Sequence, residues 1–168
     1  VLGAGTFGTA IANELSVNTA NNVLLFSRNQ DKVDEINTLH TNKSCFPNKR
    51  LVKHLQATSD KNKMKDAHLI FIALPSPVII ENLNALKSYF KEGVLLVNLS
   101  KGLFADGLTI VESIKSIIGI DNTVTLKGPS FAVEVMEHAE TLLTLGYTTN
   151  DQYQIICSVI KGTSLHLD

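Results

Sequence analysis

Val1-Leu2-Gly3-Ala4-Gly5-Thr6-Phe7-Gly8-Thr9-Ala10 opens the chain and decides how the rest is read. It has the form of a strand's tail, a turn with three glycines, and the first turn of a helix. The spacing is G-x-G-x-x-G, in which each glycine has its own physical task. Gly3 permits the tight turn, Gly5 lets backbone approach a pyrophosphate, and Gly8 lets the helix lie close on the strand. The N–H groups that begin a helix lack intrahelical partners, and with the helix dipole they face an anion. A lone G-x-G-x-x-G is weak evidence, so its surroundings matter. Phe7, Ala10, Ile11 and Leu15 recur at the 3.6-residue period of a helix with one buried face. After a polar turn over residues 18–22, Val23-Leu24-Leu25-Phe26 supplies the next strand. The expected unit is a βαβ that binds a dinucleotide.

Strands and helices alternate downstream. A helix is expected around Asp31 to Leu39, an irregular loop over Thr41 to Arg50, and a short strand near Leu55 to Thr58. The continuous apolar run Leu69-Ile70-Phe71-Ile72-Ala73 suits a strand covered on both faces. Pro77 suits the first turn of the following helix, whose buried stripe is Ile79, Leu83, Leu86 and Phe90. Val94 to Val97 is another buried strand, and Ile110, Ile114 and Ile117 mark the helix after it. Val124 to Leu126, Thr141 to Leu145 and Ser164 to Leu167 are the remaining strands, with a helix over Gln152 to Ile160 before the last. This alternation predicts an α/β fold, a doubly wound, mainly parallel Rossmann-like sheet with helices on both faces, over residues 1–168.

Composition bounds the function. A chain of 168 residues, 44% of them hydrophobic, suits one domain with a real core. A net charge of −1 gives no reason to expect nucleic acid or an anionic membrane as partner. No stretch reaches transmembrane length, and no signal peptide is visible. Cys45 and Cys157 lie far apart without metal-ligand spacing, which suggests a reduced, cytoplasmic protein and no bound metal. His40, His54, His68, His138 and His166 have neither metal-ligand spacing nor a triad partner, and read as surface or core-edge residues. Glu134 and Glu137 read as a solvated helix face. Only Val1 and Leu2 precede the first glycine, whereas a strand usually takes about five or six residues. The last residues read as the end of a strand, so the chain is expected to be a segment of a longer protein.

Ligands of open α/β sheets bind beyond the carboxyl ends of the strands, and four groups fall there. Ser27-Arg28-Asn29 stands where an NAD site usually has an acid for the ribose 2′-hydroxyl. Arg28 can instead hold a 2′-phosphate, which favours NADPH and leaves NADH possible. The alternative is a solvated arginine. In Ala73-Leu74-Pro75-Ser76, Pro75 is either a rigid wall beside a nicotinamide or only a strand stop. In Asn98-Leu99-Ser100-Lys101-Gly102, Lys101 is a cation that neutralises a phosphate or polarises a carbonyl, or else an ordinary surface lysine. In Lys127-Gly128-Pro129-Ser130-Phe131-Ala132-Val133-Glu134, glycine permits close backbone approach and Ser130 offers a hydroxyl, as a ligand contact or a helix cap.

G-A-G-T-F-G-T-A, S-R-N, A-L-P-S, S-K-G and G-P-S-F-A-x-E occur in this order. Together they resemble the N-terminal domain of bacterial-type NAD(P)-dependent glycerol-3-phosphate dehydrogenases, along essentially the whole chain. The resemblance implies interconversion of dihydroxyacetone phosphate and sn-glycerol 3-phosphate, which feeds glycerophospholipid synthesis. It places Thr6 and Phe7 at the pyrophosphate turn, Arg28 at the adenosine phosphate, and Lys101 against cofactor and substrate. Gly128 and Ser130 fall at the substrate and Ala132 at the cofactor. The family often carries a cofactor-lining aromatic before a Leu-Pro pair. Here the segment is Cys45-Phe46-Pro47, so the aromatic is displaced and Cys45 takes its place.

The resemblance also implies a catalytic lysine, the general acid/base, in a following helical domain, and no residue here matches it. This chain is therefore expected to bind cofactor with little or no turnover, and any homodimer to form through that further domain. Two rivals share the glycine turn and arginine: an NADPH-dependent reductase of another small keto acid or hydroxyacid, and a non-catalytic nucleotide-sensing module. The first is not expected to carry G-P-S-F-A-x-E. In the second, Lys101 and Gly128 to Ser130 would have no substrate to meet.

Overall fold

The structure is a computed structural model that describes residues 1–103 and 107–168. Its strands are β1 (Leu24–Phe26), β2 (Gln56–Thr58), β3 (Leu69–Ile72), β4 (Leu95–Asn98), β5 (Thr123–Lys127), β6 (Thr141–Gly146) and β7 (Leu165–Leu167). Its α-helices are α1 (Thr6–Leu15), α2 (Gln30–Leu39), α3 (Ile79–Leu86), α4 (Ile110–Ser113), α5 (Ala132–Met136) and α6 (Asn150–Ile160).

Pairing runs β2–β1 and β3-β4-β5-β6-β7. Leu2 joins the two groups, bridging Phe26 on one side and Ile72 on the other in parallel. Its N–H donates to the Phe71 carbonyl at 2.8 Å, and its own carbonyl accepts from Ala73 N–H at 2.9 Å. Strand order therefore runs outward in both directions from Leu2, and the glycine turn emerges at that reversal. In an open α/β sheet, the reversal is where the crevice for a ligand opens.

β1 to β5 are parallel, and β6 runs antiparallel to β5. The cause is the connection. A parallel return needs a crossover that recrosses the sheet, and α5 has only five residues, roughly 7.5 Å of helix. The chain therefore turns back at the carboxyl edge. β7 is again parallel to β6, after the 11-residue α6.

Alternate strand residues feed two cores. Phe71, Leu95 and Val97 point to one face with Ile11, Leu15, Ile36 and Ile156. Ile70, Ile72 and Leu96 point to the other with Ile79, Leu83, Leu86, Ile110 and Ile114. Helices thus cover both faces, as the sequence pattern requires. Leu83 is fully buried, and truncating such a side chain to alanine costs about 2–5 kcal/mol.

Ile117 departs from expectation, being 56% exposed while Ile118 is buried. α4 continues as a π turn over Ile114–Ile118, closed where Gly119 N–H donates to the Ile114 carbonyl at 3.2 Å. A π turn is wider than 3.6 residues. Inward positions then recur every four residues, at Ile110, Ile114 and Ile118, and Ile117 swings to solvent. Among the described residues no helix is long and apolar enough to cross a membrane.

Candidate functional site

The loops after Leu2, β1, β3, β4 and β5 all leave the sheet at its carboxyl edge, and their own chemistry ties several of them together. Gly3 has φ +105°, and a Cβ there would stand 2.5 Å from the Ala73 carbonyl oxygen. A Cβ at Gly8 would stand 1.9 Å from the Gly3 carbonyl oxygen. Both glycines are required by close backbone approach. Gly5 differs: its φ of −79° suits any residue, and a Cβ there would meet nothing within 4 Å. The space in front of Gly5 is open.

Gly5 is also the N-cap of α1, with no side-chain cap and no acid in the first turn. The first amides of a helix have no intrahelical acceptor, so those of α1 face the open space in front of Gly5. This donor set and this cradle fit the pyrophosphate of a dinucleotide. Thr6 is exposed at the lip, and Phe7 is half-buried against the core.

The turn is held at the Ala4 carbonyl. The Ala4 carbonyl accepts from Lys32 Nζ at 3.0 Å, Asn42 Nδ2 at 3.4 Å and Cys45 Sγ at 3.7 Å. Asn42 is fully buried and also donates to Thr9 Oγ1 at 2.9 Å. Phe46 is 5% exposed, a core residue, so it does not replace the displaced aromatic at the surface of the site. The Glu35 carboxylate ties α2 to this loop, accepting from Lys43 N–H at 2.8 Å and Thr41 Oγ1 at 2.7 Å. Those two bonds, the backbone one foremost, hold its carboxyl below the ordinary value.

Arg28 follows β1 and is exposed, while its neighbour Asn29 caps α2 by accepting from Lys32 N–H at 3.1 Å. Among the described residues neither Arg28 nor Lys101 is in an ion pair. The ends of β3 and β4 are cross-tied: Ser100 Oγ donates to the Leu74 carbonyl at 2.6 Å, and Ser76 Oγ donates to the Lys101 carbonyl. This leaves the Lys101 side chain exposed at the rim. The last ladder bond on this edge runs from Ala73 N–H to the Leu2 carbonyl, and the next donor in that alternation would be residue 75, where Pro75 has no N–H to continue the pairing. It begins a 3₁₀ turn over Ser76–Val78.

After β5, a Cβ at Gly128 would stand 2.4 Å from the Leu142 carbonyl oxygen. Glycine lets β6 approach there, independently of any ligand. The cap reading of Ser130 is corrected: the N-cap of α5 is Phe131, whose N–H donates to Glu134 Oε2 at 3.3 Å. Ser130 lies one residue too early and is buried. Glu134 is thus a capping residue, and Glu137 pairs with Lys49 at 2.8 Å. Ala132 is the first residue of α5, which packs on α1.

Sequence reasoning passed over Lys32 and Asn42. The only signal for Lys32 was its place four residues after Arg28. Asn42 carried none, because a polar residue in a polar loop does not announce its burial. Glu14 was also missed. It is buried in α1 and accepts from Ser164 N–H at 2.6 Å, Ser164 Oγ at 2.9 Å and His138 Nδ1 at 2.5 Å, fastening α1 to β7 and the end of α5. A separate cavity of about 700 Å³ opens at the amino ends of β1 and β3, lined by Leu24, Met64 and Leu69 among others. It has no glycine turn and no free helix N-terminus, so the carboxyl edge remains the better anion site.

A glycine turn feeding an uncapped helix at the strand-order reversal defines a doubly wound, Rossmann-type α/β domain. The chain belongs, more narrowly, to the family described as NAD-dependent glycerol-3-phosphate dehydrogenase N-terminus, which matches residues 1–153. It is 34% identical over 162 residues to glycerol-3-phosphate dehydrogenase (NAD(P)+) of Neorickettsia sennetsu, covering 96% of this chain and 48% of the relative. Against the protein of that name from Lysinibacillus sphaericus it is 37% identical over 149 residues, covering 86% and 44%. The crystal structure of glycerol-3-phosphate dehydrogenase from Coxiella burnetii superposes with a TM-score of 0.86 at 25% identity, over 99% of this chain and 51% of that one. The chain spans about half the length of the curated relatives it matches.

Proposed function

We propose that the chain is the cofactor-holding half of an oxidoreductase that interconverts dihydroxyacetone phosphate and sn-glycerol 3-phosphate, with NADPH preferred to NADH. The observation that carries this reading is the open cradle at Gly5, faced by the uncapped start of α1 and set beside Arg28 and Lys101. When bound, the nicotinamide supplies or accepts a hydride. The chain's residues do the holding. The Gly5–Gly8 turn takes the pyrophosphate on backbone N–H groups, with Thr6 and Phe7 at its lip. Arg28 takes the adenosine 2′-phosphate, Pro75 walls the nicotinamide side, and Ala132 abuts the cofactor from α5.

Lys101 stands between cofactor and substrate, where its charge favours a phosphate or a carbonyl oxygen that gains negative charge. Gly128 and Ser130 line the substrate. Proton delivery to that oxygen needs a positioned acid, and we assign it to a lysine beyond Asp168, so residues 1–168 alone bind cofactor without turnover. The two free cysteines suit a reducing cytoplasm. The test is NADPH oxidation by the full-length protein with and without dihydroxyacetone phosphate. Oxidation that depends on this substrate is expected. NADPH binding without such oxidation would favour a reductase of another substrate or a sensing module. Turnover by residues 1–168 alone would overturn the division of labour.

A further inference from the structure

Lys32 is the third residue of α2, and its placement goes against helix electrostatics. A cation in the first turn opposes the positive end of the helix dipole. Its backbone N–H is spent on the Asn29 cap at 3.1 Å, and its side chain folds back so that Nζ donates to the Ala4 carbonyl at 3.0 Å. Among the described residues it forms no salt bridge, and the nearby Glu35 carboxylate, three residues on, feels its charge only as a minor influence. An ammonium carries three donors, and one is used on Ala4. The same carbonyl is held by Asn42 and Cys45, so the ammonium is anchored to a rigid point on the glycine turn. Arg28 precedes it by four residues on the same loop-to-helix junction, exposed and without an ion pair. Arg28, exposed, and Lys32, tied to the Ala4 carbonyl, thus both belong to the stretch that follows β1, the part of an open α/β sheet that meets the adenosine ribose of a dinucleotide.

We propose that Lys32 is the second cation of the adenosine 2′-phosphate subsite, held ready by the Ala4 carbonyl, and that with Arg28 it selects NADPH over NADH. This rests on the cofactor site proposed above. A phosphate between a guanidinium and an ammonium is met by a planar fork on one side and a point charge on the other. NADH, with a neutral 2′-hydroxyl there, gains little from either.

The test is equilibrium binding of NADPH and NADH to the full-length protein, read by nicotinamide fluorescence, for wild type, Lys32→Met and Lys32→Arg. Methionine keeps most of the aliphatic stem and removes the charge. Competition by 2′,5′-ADP and by 5′-AMP isolates the adenosine end. The expected result for Lys32→Met is at least a tenfold weaker NADPH and 2′,5′-ADP affinity, with NADH and 5′-AMP changed less than twofold. Lys32→Arg should restore most of the loss, and the NADPH advantage of wild type should shrink as salt is raised. Equal weakening of NADPH and NADH would overturn the proposal and leave Lys32 a strut of the turn, as would no change in either. If the wild type binds neither dinucleotide, the reading beneath the proposal fails instead.

Discussion

Gly5 and Gly8 lie three residues apart in one turn, yet alanine at each should fail in a different way. A Cβ at Gly8 would stand 1.9 Å from the Gly3 carbonyl oxygen and 3.0 Å from Ala73 Cβ. Contacts below 3.0 Å are essentially never seen for real Cβ atoms, so α1 or the turn must give by about 1 Å, backbone against backbone. Overpacking of this kind costs about 1–3 kcal/mol. With both neighbours fixed in the ladder, the upper figure applies, and for a chain this size about 3 kcal/mol lowers Tm by roughly 6–12 °C. Gly5→Ala meets nothing within 4 Å at an ordinary φ. Its poorer N-cap preference, about 0.5–1 kcal/mol, is offset by a similar loss of unfolded-chain entropy. The added methyl instead occupies the pyrophosphate's approach, where about 1–3 kcal/mol of crowding weakens NADPH binding some 5- to 150-fold. Thermal unfolding by far-UV circular dichroism and NADPH titration measure both. Wild-type NADPH affinity in a folded Gly5→Ala protein would refute the assignment of that space, and a wild-type Tm for Gly8→Ala would refute the packing argument.

Lys101→Ala in the full-length protein should lower kcat/KM for dihydroxyacetone phosphate about 100-fold or more, with Tm unchanged because only the Lys101 carbonyl is tied into the fold. Gly128→Ala should cost about 1–3 kcal/mol in urea unfolding, because its methyl would meet the Leu142 carbonyl at 2.4 Å. Glu35 has a folded pKa below its ordinary 4.5, so the stability it contributes is fully present above that value and is lost as the pH falls further. Glu35→Gln should therefore cost about 1 kcal/mol near neutrality, since its two bonds are partly exposed. The gap to wild type should close in acid, as urea midpoints across pH would record.

The fold was legible where one local pattern had one physical solution. Three glycines at fixed spacing, followed by Ala10, Ile11 and Leu15, admit little besides a turn packed under a helix. The stripe of Ile79, Leu83 and Leu86 is buried as its period requires, whereas Phe90, expected to complete it, lies past the end of α3 and a 3₁₀ turn and is half-buried. What escaped depends on contacts distant in sequence or on changes of helix pitch. Ile117 and Ile118 are chemically alike, and only the π turn decides between them. The reversal of β6 follows from the brevity of α5, whose five residues cannot be bounded by eye in a Gly-Pro-Ser segment. Ser130 is a good capping residue by type, but the chain starts the helix one residue later and lets Glu134 reach back. Lys32 meets Ala4 across 28 residues, and Glu14 meets Ser164 across 150. No window of sequence contains such pairs.

We infer that a nicotinamide dinucleotide lies along the carboxyl edge with its pyrophosphate on the start of α1. Amide hydrogen exchange with and without NADPH tests it most directly. Slowed exchange is predicted in the segments containing Thr6 to Thr9, Arg28 to Lys32 and Leu99 to Gly102, with the amino ends of β1 and β3 unchanged. Protection confined to the segments around Leu24, Met64 and Leu69, or no protection at saturating NADPH, would contradict it.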